Sequence, residues 1–318
     1  MAICHKYLQS YSIVLLFVAG MLFSGCAGLN RPVHPEQAAG VPSRVELEAV
    51  PFYPQKEYQC GPAALAMALR WSGLPISPED LTDEVFTPSR KGSLQTAMIS
   101  SARRHGRIAY VLTGLNDMVS EVAAGNPVIV LQNLGLSWYP VWHYAVVVGY
   151  DLSEKVVVLR SGIIYRKHMS FRVFDNTWAR GNYWGLLILQ PDQLPATAKE
   201  DLFLSAVLGL EKARQFRAAV DGYHTALTRW PKNLTAHIGI GNSYYALGEL
   251  ENAEKAFRKA ICFHSNSGPA YNNLAHILLE QGRKQEALEA ARKAVFFGGP
   301  LSSAYQKTLE EIEGFKRE

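Results

Sequence analysis

The chain lacks any long apolar run. Its most hydrophobic stretch, Tyr11 to Gly25, falls short of the roughly 20 residues that a membrane-spanning helix needs. It also lacks segregated charge. The 32 basic and 28 acidic residues leave a scattered net +4, with no basic stripe interleaved with aromatics, so nucleic acid is not an expected partner. No His/Cys/Asp cluster has metal-ligand spacing, and no cofactor is implied. Cysteine is scarce, with only Cys4, Cys26, Cys60 and Cys262. Core-forming material is ample: 48% hydrophobic residues over 318 positions suffice for about two domains.

His5 and Lys6 precede the apolar run and Ser24-Gly25-Cys26-Ala27 follows it, an order that reads as a secretory signal. Small residues just before a cysteine resemble a bacterial lipoprotein cleavage site, although Phe23 stands where leucine is usual. The resemblance implies that residues 1–25 are removed and that Cys26 becomes the lipidated first residue. By the same resemblance, Ala27 directs the protein to the outer membrane of a bacterial envelope; the periplasmic face is the expected one, although no residue in the sequence fixes the side. An ordinary signal peptide cut nearby is the alternative. Residues 26–45 are polar and Pro-rich and read as a tether. Cys60 and Cys262 then remain as free thiols, and because they fall in different expected domains no disulfide between them is expected.

The last third carries a gapless 34-residue repeat with frames from Glu200, Leu234 and Gly268. Ala219, Ala253 and Ala287 are equivalent, as are Tyr223, Phe257 and Ala291. Gly248 and Gly282 mark the turn inside each unit, where the first frame has Arg214. This period and small/large pattern is that of tetratricopeptide repeats, helix–turn–helix units of which three make a stable stack. Residues 196–318 are therefore expected to be an all-α solenoid closed by a cap helix from Leu301 to Phe315. Residues 46–195 read as an α+β domain. Helices are predicted over Ala63–Ser72, from Ser77-Pro78 to Val85, over Leu94–Arg104 capped by Ser93, and over Leu115–Ala124. Strands are predicted at Ile108–Leu112, Pro127–Leu131, His143–Tyr150, Lys155–Arg160, Ile163–Arg166 and Tyr183–Leu189.

Cys60 precedes Gly61-Pro62 and the run Ala63–Leu69, a helix start. A thiol there sits beside unpaired N–H groups and the positive end of the helix dipole, both of which favour the thiolate. A small buried hydrophobe capping a core helix is the competing reading. Cysteine on a leading helix and histidine on a later strand is the layout of papain-like cysteine peptidases. Gln55, Cys60-Gly61-Pro62-Ala63 and His143-Tyr144-Ala145-Val146-Val147-Val148-Gly149-Tyr150 resemble the bacteriocin-processing, double-glycine-type peptidases more closely. The resemblance implies Cys60 as nucleophile, His143 as general base and then acid, and Gln55 as oxyanion donor. Gln59 is the rival donor.

The family usually orients its histidine with an acid or Asn on the neighbouring strand. Counting back from a hairpin at 151–155 places residues 160–163 opposite His143, and no acid is among them. Asp151 lies about 26 Å away along an extended strand. The chain therefore has either a Cys–His dyad or a third member from elsewhere; Asp175, Asn176 and Ser161 are the candidates.

The implied function is an envelope-anchored cysteine peptidase that cuts peptides or processes a leader. Its repeats are expected to hold the substrate or a protein partner. A catalytically weak peptidase-like scaffold and a cell-wall peptide amidase are the alternatives.

Overall fold

The computed structural model describes residues 40–315. The expected signal segment, Cys26 and most of the tether lie outside the described residues. The far end of the tether is structured, however: β1 (Arg44–Glu46) pairs antiparallel with the end of β6 (Trp142–Asp151), setting Val45 opposite Tyr150.

α1 (Cys60–Trp71) is buried without a break from Gly61 to Leu69, as suits a helix apolar on every side. α2 (Pro78–Val85) opens on a capping box. The amide of Ser77 donates to Asp80 Oδ2 at 3.0 Å, and Ser77 Oγ accepts from the Asp80 amide at 3.3 Å. α3 (Gln95–Arg104) lacks the expected Ser93 cap. Ser93 instead belongs to a small hairpin of β2 (Phe86–Thr87) and β3 (Gly92–Ser93), where its backbone pairs with Phe86. Its hydroxyl makes no cap bond to α3.

The main sheet runs β4 (Ile108–Thr113), β9 (Trp184–Leu189), β5 (Val128–Asn133), β6, β7 (Val156–Ser161), β8 (Ile164–Ser170), with β1 off β6 and every pairing antiparallel. α1 packs on one face against Ile129, Tyr144, Val146, Val148 and Leu186. The other face is covered by α5 (Phe171–Ala179), a helix that the strand pattern does not predict. Its Thr177 Oγ1 accepts from Gln132 Nε2 at 2.6 Å. α4 (Leu115–Ala123) joins β4 to β5.

The helical third follows without a loose joint. Glu121 of α4 is fully buried and accepts from the amide and hydroxyl of Thr197 at 2.7 and 2.6 Å, and from the Ala196 amide at 3.2 Å. Tyr110 Oη donates to Thr197 O and accepts from the Lys199 amide, both at 3.2 Å. These bonds lay α6 (Glu200–Lys212) beside β4, a strand at one edge of the sheet.

Three helix pairs then stack: α6 with α7 (Phe216–Arg229), α8 (Leu234–Ala246) with α9 (Leu250–Phe263), and α10 (Gly268–Glu280) with α11 (Lys284–Phe297). α12 (Ser302–Gly314) closes the stack. Buried Tyr223 and Phe257 fill the space between helices at equivalent places. The turn inside each pair needs a left-handed residue. Gly248 and Gly282 supply it at φ 76° and 78°, and in the first unit Arg214 is held there at φ 60°.

Candidate active site

Cys60 is the first residue of α1, so its amide and that of Gly61 have no carbonyl one turn back to bond. The chain reaches it through a turn in which the Gln59 amide donates to Lys56 O at 3.1 Å, with Tyr58 in the left-handed region at φ 60°. Gly61 is required by its neighbour. A Cβ built there would fall 2.1 Å from Ser93 Oγ and 2.4 Å from Ser93 Cβ. The β2–β3 hairpin thus presses directly on the first turn of the cysteine helix.

The segment before Cys60 is strapped across the sheet. The Leu47 amide donates to Val148 O at 2.7 Å and the Gln55 amide to Gly162 O at 3.1 Å. Arg160, wholly buried, donates to the carbonyls of Tyr165 and Glu48 at 2.8 and 3.1 Å, and to that of Val50 at 3.4 Å. Its guanidinium lies 3.9 Å over the Tyr165 ring. A strand-borne cation therefore fixes the path of the backbone that carries Gln55. The Gln55 side chain reaches toward β6, its Nε2 donating to Tyr144 O at 3.4 Å. Gln59 points elsewhere, its Oε1 accepting from Thr82 at 3.3 Å.

His143 lies near the start of β6, in register with Gln132. Its Nε2 lies 2.9 Å from Ser161 Oγ. The observed pairing sets Val146 opposite Arg160, which brings the following residue, Ser161, one step toward the histidine. Asp175 and Asn176 do not fold back to the ring. They lie on α5, and Asp175 shares a hydrogen bond with Tyr183. The third position beside the imidazole is thus a hydroxyl.

Gln55, Cys60 and His143 line one cavity of about 660 Å³, together with Ser93, Trp142 and Tyr144. Among the described residues no hydrogen bond joins Cys60 to His143. The local electrostatics oppose the thiolate that the helix end favours. Burial pushes the Cys60 thiol above its ordinary value and outweighs the amides of Tyr144, Gly61 and Cys60, which pull it down. Burial, helped by nearby Lys167, pushes His143 down to about 4. Both shifts favour the uncharged forms. Burial also raises the Tyr144 hydroxyl, which donates to Ser93 O at 3.2 Å. Cys60 and Cys262 are both free.

Residues 47–183 match the model of the Peptidase_C39 like family, and residues 204–269 and 270–295 match two tetratricopeptide repeat models. This is a C39-like peptidase domain followed by tetratricopeptide repeats. A solved structure from Bacillus anthracis, described as a C39-like peptidase, is 19% identical and covers 46% of this chain and 97% of its own, with a TM-score of 0.40. The Yersinia enterocolitica type III secretion chaperone SycD, solved with a peptide of the translocator YopD, is 16% identical over 36% of this chain and 95% of its own (TM-score 0.34). The Sgt2 repeat domain of Aspergillus fumigatus is 21% identical over 37% of this chain and 78% of its own (TM-score 0.34). Among curated proteins none matches.

Within the C39-like domain, two features lay beyond sequence reasoning. Arg160 was visible only as a residue facing the histidine strand, and its grip on the Glu48–Val50 carbonyls is a tertiary fact. Ser93 reads as a cap, and nothing local announces its contact with Gly61.

Proposed function

We propose that the C39-like domain is a cysteine peptidase with Cys60 as nucleophile, His143 as general base and then acid, and Gln55 as an oxyanion donor. The observation that carries this reading is the convergence of these three side chains on one cavity at the N-terminus of α1. With thiol and imidazole both neutral, the proton leaves sulfur as sulfur attacks the peptide carbonyl. Ser161 engages Nε2, so Nδ1 is the nitrogen left to receive it. The tetrahedral oxyanion is met by the Cys60 amide and Gln55 Nε2, each such donor being worth about 2.7–4 kcal/mol of barrier. His143 protonates the departing amine, and water then hydrolyses the thioester with the ring again as base. Catalytic hydrogen bonds are commonly long before substrate binds and tighten in the complex, which fits a pair that lines one cavity with no hydrogen bond between its members among the described residues.

The experiment is turnover of a fluorogenic peptide library by the full chain, with an acyl-enzyme or peptide-electrophile adduct located at Cys60 by mass spectrometry. Cys60→Ser and His143→Ala should each abolish both signals. A folded wild-type protein with no turnover and no adduct would instead support the second reading, a peptidase-like scaffold. The raised thiol and the presence of a hydroxyl, with no carboxylate bonded to His143 among the described residues, favour that second reading.

We further propose that Cys26 carries a lipid that anchors the protein to the bacterial envelope, on the strength of the sequence around it. The repeats are proposed to bind a peptide or protein partner, as such stacks typically do. Cys26→Ala should move the protein from the membrane fraction to the soluble one.

A further inference from the structure

Among the described residues, the cavity around Cys60 is lined by Lys56, Arg90, Lys91 and Arg180 and by no carboxylate. The chain as a whole is nearly balanced, with 32 basic and 28 acidic residues, so a lining of four cations and no acid is a local segregation. Lys56 is already paired with Glu79 at 2.9 Å. Among the described residues, Arg90, Lys91 and Arg180 have no carboxylate partner.

The cations are held on separate walls. Arg90 ends the 3-10 turn, Pro88–Arg90, that leads from β2 towards β3, and Lys91 follows it directly. Lys91 caps that turn in the left-handed conformation, with its amide bonded to Pro88 O at 3.1 Å. The hairpin is the one that presses on Gly61 beside the thiol. Arg180 follows α5 on the other wall, with Nε and Nη2 donating to Asn133 O at 3.2 and 2.8 Å. A concave site with fixed charge of one sign focuses its field on a ligand of the other sign.

We infer that the substrate is a peptide carrying carboxylate side chains on either side of the bond presented to Cys60. The inference deepens the peptidase reading and rests on it for the statement that the bound peptide is cut. The exposed rings of Trp138 and Tyr139, 80% and 69% accessible, stand in the β5–β6 connection near the same mouth. Cations beside such rings also suit an anionic bilayer, but a bilayer cannot follow the walls inward to Cys60, whereas an extended peptide can. The peptide is therefore the occupant.

The test separates binding from cleavage. Fluorescent peptides of one backbone, with Asp/Glu, Asn/Gln or Lys flanking the centre, are titrated into the full chain bearing Cys60→Ala. They are also presented as substrates to wild type. The acidic peptide should bind about tenfold tighter than its amide counterpart, with the gap shrinking as salt rises. Arg90→Glu with Lys91→Glu, both at exposed positions, should reverse the preference toward the Lys peptide. Charge-selective binding without cleavage by wild type would sink the peptidase reading and leave the acidic ligand standing. Equal affinity for all three peptides, or no binding of any, overturns the inference. Binding to phosphatidylglycerol vesicles but not to the acidic peptide overturns it in favour of a membrane surface.

Discussion

His143 Nε2 and Ser161 Oγ are 2.9 Å apart, so a neutral hydroxyl holds the ring where a carboxylate would also charge it. On the proposed mechanism Ser161 is a positioning residue, and two substitutions separate holding from charging. Ser161→Ala should lower kcat on the order of tenfold with KM little changed, because the ring loses its orientation and the substrate loses nothing. Ser161→Asp should restore orientation and favour the imidazolium, raising His143 above its value of about 4. The acid limb of kcat/KM should then move to higher pH. An unchanged kcat in Ser161→Ala would show the hydroxyl to be idle.

The thiol makes the second prediction. A free thiol of pKa near 8.5 is about 3% ionised at neutral pH, and Cys60 is pushed above its ordinary value. Cys60 should therefore react with iodoacetamide more slowly than exposed Cys262 at neutral pH. Its rate should keep climbing with pH past the point where an ordinary thiol levels off. A plateau on the acid side of neutrality would mean a thiolate–imidazolium pair. The measurement is the labelling rate of each cysteine across pH, read by mass spectrometry.

His143 also links stability to acidity. Its folded value is depressed, so its contribution is fully present above the ordinary histidine value and is lost as pH falls toward the folded one. Between about 6.5 and about 4 the protein should lose about 2–3 kcal/mol on this account, allowing for partial exposure of the ring. Denaturant titrations of wild type and His143→Gln across that interval should differ in slope. Parallel curves would remove the linkage.

The fold was legible where a pattern repeats. Three aligned frames place the openings of α6, α8 and α10 because every unit must bury the same small and aromatic positions. Counting along an antiparallel hairpin brought Ser161 among the residues near His143, since register is set by the turn. α5 was missed because Phe171, Phe174 and Trp178 stand between strands in a short segment of mixed propensity. The spacing of those three residues was the available signal. β1 was missed because three residues carry no period. The charge state of Cys60 could not be read locally: the helix end argues one way, and burial, which depends on the whole domain, argues the other and is larger.

Arg214 gives the fourth prediction. It occupies the left-handed turn position that glycine fills in the two later repeats, at φ 60°. Its side chain is exposed, so little packing is lost on removing it. Arg214→Gly should stabilise the protein by about 1 kcal/mol, seen as a higher denaturation midpoint with unchanged m-value. A lower midpoint would mean that the arginine side chain contributes more than its backbone costs.

The welding of α6 to the C39-like domain through Glu121, Thr197 and Tyr110 has a mechanical meaning. A flexible hinge would let a captured chain wander and raise its encounter with the cleft only on average. On the proposed reading, a solid joint makes the stack a fixed arm, so a ligand gripped along it would be offered to the cavity at a set distance and bearing. The length of polypeptide between grip and scissile bond then becomes a selection rule, and substrates whose spacing does not match the arm gain nothing from being held.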